Sequence, residues 1–232
     1  MTTLLHLDAS ARKGQSDREP HGSHTRRMSA RLIGRWREAN PHDRVIYRDV
    51  GTNPPSPVTE SWIHSAFTPP DRRERWMNET LRESDELLKE LLAADVIVLG
   101  APMYNFGVPA QLKAWVDNIV RVGVTFGFDR TRLGEPYWPL LSEQGKTAII
   151  VTARGDYGYA SGERLAEREL VIPGLSIPLN YIGITDIRHV AIEYDEFADD
   201  RLAASVERAE RAIDELVGQL VTERAALTSI AA

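Results

Sequence analysis

Five short apolar or alternating runs punctuate this chain, at residues 3–9 (TLLHLDA), 44–50 (RVIYRDV), 95–100 (DVIVLG), 146–153 (KTAIIVTA) and 187–192 (IRHVAI). Runs of this length, rich in branched side chains, predict strands, and those lacking polar alternation predict strands covered on both faces. Between them apolar residues recur three and four apart, the stripe of a helix packed along one side. Met28, Leu32, Ile33 and Trp36 form one stripe, and Trp76, Leu81, Leu87, Leu88, Leu91 and Leu92 another over 72–93. Leu112, Trp115, Val116, Ile119 and Val120 mark a third over 110–121, and Leu202, Val206, Ala209, Ile213, Leu216, Val217 and Leu220 a closing one over 199–224. A further helix is expected over 162–171. Strand and helix thus alternate five times, which predicts an α/β fold: a five-stranded parallel sheet, helices on both faces, right-handed crossovers. The expected strand order is 2-1-3-4-5. Its switch point lies between strands one and three, at whose carboxyl ends such sheets bind ligands.

Two stretches break the alternation. Residues 51–71 carry Pro54, Pro55, Pro57, Pro69 and Pro70 around Trp62, Ile63 and Phe67, so neither a continuous helix nor a central strand fits. A long connection of this kind is a lid or an excursion. Residues 122–145 begin with the alternating VTFGFD and pass through a turn-like DRTRLGEP, which predicts a small hairpin or extension bearing Phe126, Phe128, Tyr137 and Trp138. Both are read as excursions from one domain spanning 1–232.

The candidate chemistry lies in the loops after strands one, three and four. After strand three, between Pro102 and Pro109, stand Met103, Tyr104, Asn105 and Phe106, which place flat apolar area beside a carboxamide. Such a loop either packs under its own domain or lies against a flat ligand. After strand one come Ser10 and then Ser23-His24-Thr25 at a helix start. Ser23 or Thr25 suits an N-cap. The three hydroxyls with the free N–H groups of a first turn also suit a phosphate, with Arg12 as an added cation. After strand four, Ala153 leads into Arg154-Gly155-Asp156-Tyr157-Gly158, a simple turn or a place where backbone approaches a ligand closely. His6, inside strand one, reads as a packed histidine.

Composition narrows the classes. A net charge of −6 argues against nucleic-acid and anionic-membrane partners. With no cysteine, a disulfide framework, a thiolate nucleophile and a thiolate-held metal are excluded. Residues 1–10 lack the basic lead and length of a signal peptide, and a cytoplasmic location is expected. The histidines show no metal-site spacing. Neither a GxSxG elbow nor a Walker or GxGxxG loop occurs, and Gly100-Ala101 stands where a receiver-type signalling domain needs acidic residues.

The order P-M-Y-N-F, then Pro-x-Q-L-K-x-W-x-D, then G-V-T-F resembles the FMN-dependent NADH azoreductase and quinone reductase family, a branch of the flavodoxin-like folds. The hydroxyls after strand one resemble that family's phosphate loop, and Tyr181-Ile182-Gly183-Ile184-Thr185-Asp186 its F-x-G-I-T-D approach to the last strand. Ala153-Arg154-Gly155-Asp156 departs from its S-R-G-G by two residues. The resemblance implies tightly bound, non-covalent FMN held by Ser10, Ser23, His24 and Thr25 at the phosphate. It implies Pro102, Met103, Tyr104, Asn105 and Phe106 at the ring, and Ala153, Arg154, Gly155 and Asp156 at the pyrimidine end. It further implies NADH or NADPH as reductant, quinones and azo compounds as acceptors, one flavin face used twice in ping-pong fashion, and a homodimer. No residue stands out as an obligatory general acid. The alternative is a flavodoxin-type electron carrier without a substrate pocket, which the long excursions disfavour.

Overall fold

In the computed structural model of the chain, residues 1–230 are described. Strands β1 (Thr3–Asp8), β2 (Arg44–Asp49) and β3 (Val96–Gly100) join two later strands, β6 (Thr147–Ala153) and β7 (Asp186–Ile192), in one parallel sheet. Its order is β2-β1-β3-β6-β7, the doubly wound order expected. The period of two along each strand divides the core. Leu5 and Leu7 of β1, Ile97 and Leu99 of β3 and Ile150 of β6 meet helices α3 (Arg75–Ala93), α4 (Ala110–Ile119) and α5 (Val171–Ile182). Leu4, Val96, Val98, Ile149 and Val151 turn the other way, onto α1 (His24–Ala39) and α6 (Asp200–Ile230). Successive Cβ atoms point to opposite faces, so a run with no polar alternation can only be a strand with helices on both sides.

The proline-rich segment holds a short helix, α2 (Glu60–Phe67), fitted between Pro57 and Pro69. Thr59 caps it, its hydroxyl accepting from the Trp62 N–H at 3.2 Å. The segment is moored to the core where the Asn118 carboxamide donates to the Ser56 carbonyl at 2.9 Å. The expected hairpin is present as antiparallel β4 (Phe126–Phe128) and β5 (Tyr137–Pro139), which gather Phe126, Phe128 and Tyr137 against Tyr181.

One sequence expectation is overturned. Residues 162–171 are not a helix: only a single 3-10 turn forms at Ala166–Arg168, and the helix of this region, α5, begins at Val171. Pro173 and Pro178 hide it in the sequence. Pro173 lies in the first turn, where a missing N–H costs nothing, whereas Pro178 is interior and gives up a hydrogen bond. Burial of Val171, Leu175, Leu179 and Ile182 outweighs that loss. Leu179–Ile182 therefore closes the helix, and Gly183 ends it at φ 103°, a left-handed position that favours glycine.

Candidate functional site

The carboxyl ends of β1, β3 and β6 are stitched edge to edge by backbone bonds that run past the strands. The Ala9 N–H donates to the Gly100 carbonyl at 2.9 Å, and Met103 N–H to the Ala153 carbonyl at 2.9 Å. The loop after β1 is held from beneath by Arg26, a buried residue of α1. Its guanidinium donates to the Ser10 carbonyl at 2.7 Å and the Arg12 carbonyl at 2.6 Å, and grips Asp49 through two bonds of 2.7 and 2.9 Å. Burial pushes the Asp49 carboxyl up, but Arg26 and Thr52 outweigh that and hold it below the ordinary range. Burial, aided by Asp8 and Asp49, raises the Tyr47 phenol to about 12, so it stays protonated and donates to Asp8 at 3.1 Å. His6, beside Tyr47 and Asp8, belongs to this buried group, not to the rim.

Above that support the long charged stretch doubles back on itself through Ser23 N–H to the Gly14 carbonyl at 2.7 Å. Ser23 is the N-cap of α1: its hydroxyl accepts from the Arg26 N–H at 3.3 Å and shares a 3.0 Å bond with the Thr25 hydroxyl. The remaining first-turn N–H groups have no intrahelical acceptor, which makes this end attractive to an anion.

The loop after β3 is a tight turn from Tyr104 to Gly107, closed by reciprocal bonds of 3.1 and 3.0 Å. Its two central residues, Asn105 and Phe106, have φ of 49° and 70°. Two adjacent left-handed residues with side chains describe a type I′ turn, which glycine would adopt more cheaply. Backbone strain of this kind gathers at ligand sites. The turn presents Tyr104 and Phe106 partly exposed, and the Tyr104 hydroxyl accepts from the Ala11 N–H at 3.1 Å. One hydrogen bond thus links the aromatic turn to the hydroxyl loop.

Between these loops lies a crevice of about 190 Å³ lined by Ser10, Arg12, Ser23, His24, Pro102, Met103, Tyr104, Ala153, Gly155, Asp195 and Glu196. It is smaller than the roughly 300–1,000 Å³ usual for a small-molecule pocket, so it suits one part of a ligand whose remainder lies along the open rim. Most of the residues singled out from sequence meet here. Thr25 stands behind Ser23, and Asn105 and Phe106 form the exposed tip of the turn. The Arg154 guanidinium instead turns away, into a buried pairing with Glu169 at 3.2 Å and Glu193 at 3.3 Å. Asp156 turns outward to Arg164 at 2.6 Å. Gly155 does allow a close approach, but to the chain itself: a Cβ there would lie 2.6 Å from the Glu196 carboxylate.

Sequence reasoning missed Arg26, Asp195 and Glu196. In sequence Arg26 is one more charge at the start of an amphipathic helix. Asp195 and Glu196 had one available signal, a position just past the last strand on the same carboxyl edge.

A second, larger hollow of about 690 Å³ lies beside the edge strand β7, walled by Arg154, Tyr159, Glu169, His189 and Glu193 among others. Among the described residues, no cluster of His, Asp and Glu is arranged to hold a metal ion, and no helix is long and apolar enough to cross a membrane.

The donor set of the smaller crevice fits a phosphorylated flat cofactor: hydroxyls and a helix N-terminus at one end, a strained aromatic turn at the other. The family described by its flavodoxin-like fold matches residues 2–216. An FMN-dependent NADH:quinone oxidoreductase 2 of Idiomarina loihiensis is 42% identical over 95% of this chain and 91% of its own length. An FMN-dependent NAD(P)H:quinone oxidoreductase 1 of Pseudomonas aeruginosa is 39% identical over 91% of this chain and 96% of its own. Among solved structures, an FMN-dependent NADH-azoreductase of Bacillus anthracis in complex with FMN superposes with a TM-score of 0.80 at 18% identity, covering 95% of this chain and all of that one. At that identity the likeness speaks for the fold alone.

Proposed function

The chain belongs to the flavodoxin-like-fold family matched over residues 2–216, and from that premise we propose that it is an FMN-dependent oxidoreductase passing two electrons from NADH or NADPH to quinones and azo compounds. Relatives about 40% identical over nearly the whole chain carry names of FMN-dependent NADH:quinone oxidoreductases, which supports an enzyme over a flavodoxin-type electron carrier. The single observation that carries the site reading is the Tyr104–Ala11 bond, which ties the strained aromatic turn to the Ser10 loop after β1 at the sheet's switch point.

When bound, FMN supplies the hydride chemistry; the protein supplies binding, orientation and a flat apolar face. Ser10, Ser23, His24, Arg12 and the first turn of α1 hold the phosphate in this reading. Thr25 fixes the Ser23 hydroxyl. Pro102, Met103, Tyr104, Asn105 and Phe106 flank the ring, and the backbone at Ala153 and Gly155 borders its far end, with Arg154 and Asp156 shaping that backbone from behind. Reductant and acceptor use the same open rim in turn, which gives ping-pong kinetics. No general acid is assigned, since water reaches the rim. A homodimer is part of the proposal: Leu170 just before α5, Ile177 and Tyr181 on it, and Phe128 and Tyr137 on the hairpin leave large apolar area exposed. A supply of NADH fits a cytoplasmic site of action.

The test is direct. The purified protein should show a flavin absorption spectrum, bleach when NADH is added without oxygen, and recover its colour on adding a quinone. Protein that takes up no FMN refutes the proposal. Converging rather than parallel reciprocal plots refute the one-face mechanism, and elution as a monomer at micromolar concentration refutes the dimer.

A further inference from the structure

The loop after β7 puts a carboxylate beside the two groups assigned to a phosphate ligand, His24 and Arg12. Asp195 lies 3.2 Å from Nε2 of His24 and 3.5 Å from Nη1 of Arg12, and all three line the smaller crevice. The pairing is built, not casual. His24 is oriented from its other side, Nδ1 lying 3.0 Å from the Ser16 hydroxyl. The Asp195 loop is pinned along the loop after β6: Tyr194, Asp195 and Glu196 N–H groups donate to the carbonyls of Asp156, Arg154 and Gly155 at 3.3, 3.2 and 3.1 Å. Tyr194 stacks on Tyr157, centroids 4.8 Å apart and planes 11° from parallel. Tyr194 and Ala198 hold φ of 71° and 50°, so the loop keeps a strained shape that aims Asp195 back across the rim. A second acid, Glu196, lines the crevice beside it.

A phosphate entering here meets two groups already satisfied by a negative partner, and a like charge close by. Asp195 carries its charge under ordinary conditions, because its bond to His24 and the nearby Arg12 hold its carboxyl below the usual range despite partial burial. We propose that Asp195 is a built-in competitor for the phosphate end of FMN: it holds Arg12 and His24 when no phosphate is present and weakens FMN binding by contending for them. The inference rests on the FMN reading of this crevice. It assigns Asp195 as a residue that sets affinity for phosphorylated flavin, distinct from the groups that grip the ring.

The experiment is an equilibrium titration of flavin-free protein with FMN and, separately, with riboflavin, followed by flavin fluorescence. The Asp195→Asn chain should bind FMN about tenfold more tightly than the wild type, the scale of one like charge removed at the rim. Its affinity for riboflavin, which has no phosphate, should stay the same. Inorganic phosphate should compete with FMN more strongly in the variant. Unchanged or weaker FMN binding overturns the proposal, as does equal tightening of both flavins, which places the effect at the ring. If the Asn chain does not fold, Asp195→Ser is titrated instead; failure of both to fold makes Asp195 a structural staple and also overturns it. Wild-type protein that binds riboflavin or FMN nowhere sinks the FMN reading itself, a result separable from an Asp195 effect of the wrong sign.

Discussion

Two hollows share the sheet's carboxyl half, and they differ in what their polar groups are occupied with. The larger, about 690 Å³, surrounds Arg154, whose charge is shared between Glu169 and Glu193. Those carboxylates also accept the N–H groups of Val171, Ile172, Gly158 and Tyr159. The hydrogen bonds of Glu169 and Glu193 are made within the protein, holding α5 and the chain before it to the sheet edge. The smaller, about 190 Å³, is ringed by hydroxyls, a helix first turn and a strained turn of two left-handed residues. The volume of a hollow is a poor guide to its role; the direction in which its donors point is a better one. Each hollow also has its buried arginine. Arg154 props its wall by charge pairing, whereas Arg26 shapes its loop by donating to the carbonyls of Ser10 and Arg12.

The contrast can be broken most forcefully at Arg154. Arg154→Met strands two carboxylates and should cost about 3–5 kcal/mol of stability, read from the urea midpoint. FMN affinity of the folded variant should change less than tenfold, because the guanidinium does not line the smaller crevice. A hundredfold affinity loss at undiminished stability would place that side chain at the cofactor. Ser23→Ala sharpens the other side. Loss of the cap should cost about 1 kcal/mol, and loss of a hydroxyl facing a charged group should weaken FMN by about tenfold or more. A fall in melting temperature with FMN binding intact would reduce Ser23 to a cap.

Smaller effects test the turn and the competitor. Phe106→Gly should relieve a left-handed residue and raise stability by about 1 kcal/mol in chemical denaturation, while lowering kcat/KM for quinones through the lost ring. Unchanged stability would mean that the turn is not strained. For Asp195 the sign follows from its depressed carboxyl, held by His24 and Arg12. Its contribution is full above the ordinary carboxylate range and disappears as pH falls through the lowered native value. The melting temperatures of flavin-free wild type and Asp195→Asn should therefore differ most near neutrality and converge in strong acid. A gap that widens on acidification contradicts the ion pair.

Much of this architecture is legible in residue order because it rests on short-range periodicity. Leu5, Leu7 and Leu4 announce a strand covered twice, and the apolar positions of α1, α3, α4 and α6 repeat every third or fourth residue. The aromatic turn and the Ser10 and Ser23 hydroxyls are visible because unusual residues stand beside strand ends. What escapes has a physical reason in each case. Helix α5 is hidden because Pro173 and Pro178 mask a helix sustained by burial, not by its own propensity. Asp195 pairs with His24 and Arg12 across most of the chain's length, a meeting that only the completed sheet creates. Arg154 stands in the right place in sequence, yet its side chain follows Glu169 and Glu193 away from the rim.

The central claim, that the smaller crevice and not the larger one takes the cofactor, is best tested by titrating FMN into two variants side by side. Ser10→Ala alters the smaller hollow and His189→Ala the larger. The account predicts that FMN affinity falls by about tenfold or more in Ser10→Ala and is unchanged in His189→Ala. Weakened binding in His189→Ala with Ser10→Ala unaffected would contradict it.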